Sequence, residues 1–158
     1  MNDVVTASAD SPGVVVRPPF LYLGAFLASL ALQWFRPLPI VGGAPRWLGL
    51  VAIVAGFAIV STGRRTMQAA GTNVNPTMPA TTIVTAGPFR FTRNPLYLGL
   101  TLVYCGLTLV FDTWWGFILL APVLATMHVG VVLREERYLE RKFGEPYREY
   151  RSRVRRYL

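Results

Sequence analysis

Gly87-Pro88-Phe89-Arg90-Phe91-Thr92-Arg93-Asn94-Pro95-Leu96-Tyr97-Leu98-Gly99 begins as a basic loop punctuated by proline and ends as an apolar helix. Asn94-Pro95 marks the change, because asparagine can cap orphan amides and proline favours the first helical position. A second polar cluster, Arg134-Glu135-Glu136, arrives at the end of the next apolar run. The two clusters are predicted to face each other at a membrane surface.

Outward from this stretch, the chain is too apolar for a soluble domain of its size, at 53% hydrophobic over 158 residues. The excess sits in four runs, Phe20 to Phe35, Trp47 to Thr62, Leu96 to Phe111 and Trp114 to Leu133. With flanking residues, each reaches or approaches the roughly 17 to 25 residues that cross a bilayer core of about 30 Å. The expected fold is therefore an all-α integral membrane domain with four transmembrane helices, at 19–35, 47–66, 95–111 and 114–134. A flexible start (1–18), a cytoplasmic loop (71–94) and a helical cytoplasmic tail (135–158) complete it, with loop and tail forming a pocket. The first run ends in Gln33-Trp34-Phe35-Arg36-Pro37, an interfacial ending rather than the small-residue cleavage site of a signal peptide.

The formal charge of +8 is distributed unevenly. Residues 134–158 carry nine Arg or Lys against five Glu, and the segment 63–94 carries Arg64, Arg65, Arg90 and Arg93 with no acid. By the positive-inside rule the long loop, the tail and both termini face the cytoplasm, most simply across an inner or plasma membrane. Such charges suit an anionic leaflet, so membrane lipid is the expected partner and nucleic acid is not.

Gly49, Ala52, Gly56 and Gly63 fall close to one face of the second run, and Gly99 and Gly106 share a face of the third. Small residues let another helix approach closely, within this chain or in a homo-oligomer. Cys105, the single cysteine, is assigned to packing. Pro122 should kink the fourth span or be compensated locally. His128 lies seven residues before Glu135 and so would share its helix face; it is either bonded between helices or lines the cavity. The 71–94 loop, with Pro76, Pro79 and Pro88, is expected to lie extended across the end of the bundle, Thr81 to Thr85 included. In the tail, Gly144 ends one helix and Pro146 begins another, whose Tyr147, Tyr150, Val154 and Tyr157 form an interfacial face.

No dinucleotide fingerprint, P-loop, metal-ligand cluster or nucleophile with a base to spare occurs in the sequence. What remains for chemistry is the pair Glu135 and Glu136, opposite Arg90, Arg93, Asn94 and Tyr97. On residue physics alone the pair could be no more than a salt-bridged helix end, with Arg134, Arg137 and Glu140.

The ordered combination of Gly87-to-Gly99 with Glu135-Glu136-Arg-Tyr-Leu139, Phe143-Gly144-Glu-Pro-Tyr147 and Tyr150 resembles the isoprenylcysteine carboxyl methyltransferase family. It is also similar to the broader group of phospholipid N-methyltransferases. The resemblance covers roughly Gly71 to the C-terminus. It implies an integral-membrane enzyme that transfers a methyl group from S-adenosyl-L-methionine to a lipophilic or small acceptor. By that resemblance Thr85, Gly87, Arg90, Asn94, Pro95, Tyr97, Glu135 and Glu136 fall at cofactor-pocket positions, with Leu139, Phe143 and Tyr147 shaping a lid. Asn94, Tyr97, Glu135 and Glu136 become the candidate catalytic residues.

One departure bears on the substrate. Relatives of these enzymes commonly carry Arg-His-Pro where this chain has Arg93-Asn94-Pro95, and asparagine takes no proton near neutral pH. A base would have to be Glu135, Glu136 or the acceptor itself. Two other readings fit less of the pattern: a membrane reductase using NADPH, and a non-enzymatic lipid-binding membrane protein.

Overall fold

Apolar runs bounded by proline and glycine form the helices of the computed structural model, which describes residues 11–40 and 45–157, and no strand occurs among these residues. In chain order these are α1 (Pro18–Phe35), α2 (Arg46–Ala69), a 3-10 turn (Gly87–Arg90), α3 (Pro95–Val110) and α4 (Trp114–Met127). A π-helical turn (His128–Val132), α5 (Leu133–Phe143) and α6 (Glu145–Arg153) complete the order. Three stretches are long and apolar enough to cross a membrane: α1, α2, and the continuous helical stretch Trp114–Phe143 formed by α4, the π turn and α5. The four similar spans expected from the sequence are thus three of spanning length and a shorter apolar α3 of 16 residues. A bilayer core of about 30 Å takes roughly twenty residues from Trp114, so any span there ends near Leu133 and leaves Glu135 outside it.

The helices alternate in direction between two ends. At one end the α3–α4 turn meets the residues after α1. Trp114 N donates to Leu38 O at 2.9 Å, Ile40 N to Asp112 Oδ1 at 3.0 Å, and Thr113 Oγ1 to Gln33 Oε1 at 3.0 Å. Thr113 caps α4, its side chain accepting from Trp115 N. At the other end lie the 71–94 loop, α5 and α6.

The glycine stripe on α2 packs against α3 of the same chain, antiparallel. A Cβ on Gly49 would lie 2.6 Å from Gly106 O, and one on Gly56 would lie 2.7 Å from Gly99 O. The backbones touch, so no larger side chain fits at these crossings. The faces offered to a homo-oligomer are therefore occupied within the chain. Beside this pair, Tyr22, Phe26, Tyr104, Val123, Met127 and Val131 form the core joining α1, α3 and α4, with Tyr22 and Phe26 edge-on to Tyr104. Cys105 is half-buried and unpaired, as a packing residue would be.

Three local expectations change. Within the start expected to be flexible, residues 1–10 lie outside the described residues, but 11–17 runs along the π turn. Val15 N donates to Gly130 O at 3.2 Å, and Arg134 Nη1 donates to Gly13 O at 2.9 Å. The helix continues through Pro122 and departs from α geometry only at His128–Val132. Gly144, at φ +60°, ends α5 as expected, whereas α6 stops at Arg153 and residues 154–157 leave it as a strap. The tyrosine face of α6 therefore packs on the chain's own loop instead of lying on the membrane: Tyr147 is buried and Tyr150 donates to Phe89 O at 2.8 Å.

Candidate functional site

At the loop end of the bundle, the 71–94 loop, the end of α2, α5 and α6 enclose a small cavity. The extended chain before the 3-10 turn supplies Thr82, Ile83 and Val84, and the loop into α3 supplies Phe89, Arg93 and Asn94. The helices α5 and α6 supply Glu135, Glu136, Leu139, Tyr147 and Tyr150. The loop holds its place through hydrogen bonds rather than a strand. Ala80 N donates to Tyr138 Oη at 3.1 Å, and Thr81 N donates to Thr72 Oγ1 at 3.0 Å.

The adjacent carboxylates have different surroundings. Glu136 is buried and bonded to Arg156 at both oxygens, 3.0 Å to Nε and 2.8 Å to Nη2, with Arg93 Nη1 3.2 Å from Oε1. The hydrogen bonds to Glu136 in turn raise the Arg156 pKa. Glu135 has no arginine; its Oε1 accepts from Tyr97 Oη at 2.7 Å. Desolvation raises the Glu135 pKa to about 7, Tyr97 opposes the rise and the neighbouring Glu136 charge adds to it. Burial likewise pushes Tyr147 up to about 12, so its hydroxyl stays protonated.

Among the described residues, Arg93 is the buried side chain left with unbonded donors. Its side chain is 8% exposed, its Nε has no acceptor, and its Nη1 contact with Glu136 is ionic without hydrogen-bond alignment. A buried guanidinium with an open donor, lining a cavity beside two carboxylates, suits a ligand that carries both an ammonium and a carboxylate.

The strap 154–157 closes the site from the far end of the sequence. Arg93 N donates to Arg155 O at 3.0 Å, while Thr92 Oγ1 and Asn94 Nδ2 both donate to Arg156 O, at 3.1 and 3.0 Å. Asn94 therefore does not cap α3 with its side chain; it fastens the strap. His128 Nδ1 pairs with Tyr157 Oη at 2.8 Å and does not line the cavity. The π turn explains why His128 and Glu135 part company: one added residue rotates the helix beyond it by about 100°.

Of the residues expected at the cofactor, Asn94, Glu135, Glu136, Leu139 and Tyr147 line the cavity, and Tyr97 reaches it through Glu135. Thr85, Pro95 and Phe143 do not line it. Gly87 and Arg90 face the opposite side of the turn, where Gly87 has φ +57° and its Cβ position lies 2.8 Å from Thr66 Oγ1. That left-handed backbone is what favours glycine there. Arg93, expected opposite the carboxylates, lines the cavity, and Arg156, Tyr150 and residues 82–84 are additions to the expected set.

The cavity holds about 100 Å³. Small-molecule sites run from about 300 Å³ upward, so it must widen to admit a nucleoside-sized ligand.

The family described as phospholipid methyltransferase matches residues 44–146. An uncharacterized protein of Haemophilus influenzae is 39% identical over 66 residues, which span 40% of this chain and 100% of that protein. No solved structure matches. The family match contains both carboxylates, Arg93 and Asn94, and stops short of the strap.

Proposed function

From the premise that this chain belongs to the phospholipid methyltransferase family, we propose that it is a membrane-embedded methyltransferase that uses S-adenosyl-L-methionine. Its acceptor is lipophilic or small, a carboxylate, amine or thiol, and is methylated at the cytoplasmic face. The observation that carries this reading is the convergence of Glu135, Glu136, Arg93 and Asn94 on one cavity at a helix-bundle end. In this reading α3 spans as a fourth helix, made adequate by its contact with the longer α2, and both termini lie in the cytoplasm of a cell with the protein in its inner or plasma membrane.

When bound, the cofactor supplies an electrophilic methyl group on a sulfonium. Methyl transfer asks the protein mainly for alignment and exclusion of water. Glu135 and Glu136 would hold an ammonium or ribose hydroxyls, and the open Nε of Arg93 would hold a carboxylate. Leu139 and Tyr147 would close the apolar side. Glu136 is locked by two arginines, which leaves Glu135, with its pKa near 7, as the group suited to accept a proton from an acceptor that must lose one.

Calorimetric titration of S-adenosylhomocysteine into the protein in detergent, with NADPH as control, tests the assignment. Saturable binding of S-adenosylhomocysteine alone is expected. Binding of NADPH alone would favour a reductase, and binding of neither to folded protein would favour the non-enzymatic reading.

A further inference from the structure

On the other side of the Gly87–Arg90 turn, α2 and the turn enclose an open groove of about 470 Å³, lined by Ala58, Ile59, Thr62, Pro88, Arg90 and Phe91 among others. No residue lines both this groove and the cavity. The turn separates them: Phe89 faces in and is buried, whereas Arg90 and Phe91 face out, Phe91 at 79% exposure.

Along α2 the positions Val54, Ala58, Thr62 and Arg65 recur at helical spacing on one stripe, and all four are exposed. The stripe passes from apolar to cationic as it approaches the loop end of the bundle. Neither Arg65 nor Arg90 forms an ion pair among the described residues, and no acid occurs from Gly63 to Asn94. An uncompensated guanidinium beside an exposed phenylalanine and an aliphatic track matches a ligand with a phosphate at one end and hydrocarbon at the other. Free phosphate would leave the track and Phe91 uncovered, and a neutral lipid would leave the arginines unmet.

We propose that this groove binds one anionic phospholipid of the surrounding leaflet, its phosphate at Arg90 and Arg65 and an acyl chain along Ala58 and Val54. This lipid is a resident of the outer wall and is distinct from a methyl acceptor, because the groove does not reach the cavity. By filling the outer side of the turn it braces the segment whose Phe89 carbonyl accepts the Tyr150 hydroxyl at 2.8 Å.

Native mass spectrometry of the whole chain, released from nanodiscs of equal phosphatidylglycerol and phosphatidylcholine, tests the site without reference to methyl transfer. The expected result is one retained phosphatidylglycerol. In the double variant Arg65→Gln/Arg90→Gln its retention should fall on the order of thirtyfold, from the two lost cations. Arg46→Gln, at the opposite end of α2, should leave retention unchanged, and Arg90→Lys, which keeps the charge, should preserve most of it. Equal retention of phosphatidylcholine, an unaffected double variant, or an equal loss in Arg46→Gln would each overturn the proposal. The outcome is separable from cofactor binding: the lipid result stands or falls whether or not S-adenosylhomocysteine binds.

Discussion

Glu135 and Glu136 are neighbours in sequence with opposite electrostatic lives. Glu136 is held between Arg93 and Arg156, while Glu135 sits in a desolvated position with a pKa raised to about 7. The folded protein favours the protonated form of Glu135, so the stability from this group is complete below its ordinary value of 4.5 and is lost as pH rises through about 7. Ligand binding runs the other way, because a cationic ammonium requires the ionised form. Affinity for S-adenosylhomocysteine is therefore expected to rise several-fold from pH 6 to pH 8 in calorimetry, and Glu135→Gln should flatten that dependence. Glu136→Ala is a poor probe of binding, since it strands a buried Arg93 and should lower stability by about 3 kcal/mol. The carboxylate pair was legible in the sequence as a chemical feature. Its division of labour was not, because Arg93 and Arg156 reach Glu136 only through the fold. Asn94 read as a helix cap for the same reason: the competing acceptor, Arg156 O, is remote in sequence.

At the scale of elements, heptad-spaced glycines announced a close helix contact and left the partner open; the antiparallel crossing of Gly49 with Gly106 and Gly56 with Gly99 supplies it. Gly56→Ala should push α3 away from α2 and lower thermal stability by roughly 1–3 kcal/mol, through overpacking against a backbone carbonyl. Gly24→Ala meets nothing within 4 Å and should be neutral or slightly stabilising in the same melting experiment. Equal effects of the two would mean that the crossing is looser than its geometry. The π turn left no trace in the sequence: His128–Val132 looks like any apolar helix, and only its contacts with Val15 and Tyr157 distinguish it. The strap was missed because Val154 and Tyr157 continue the helical spacing of Tyr147 and Tyr150, although the chain turns extended at Val154.

At the scale of the molecule, the alternation of helices places the α3–α4 turn at the end opposite the site. With Cys105 replaced, single cysteines at Thr77 and Phe111 should react with an impermeant maleimide from opposite sides of sealed vesicles. Labelling from the same side would show that α3 does not cross. The hydropathy of the chain made a helical bundle legible, and the short α3, packed against the longer α2, is where the four expected spans became three of spanning length. The strap and the loop it fastens are divided by the whole of α3 and α4, so Arg93 meets the Arg155 carbonyl only after that helical hairpin has formed and packed. During biogenesis the chain thus carries disconnected halves of the cavity wall, and closure of the cavity becomes a readout of completed folding.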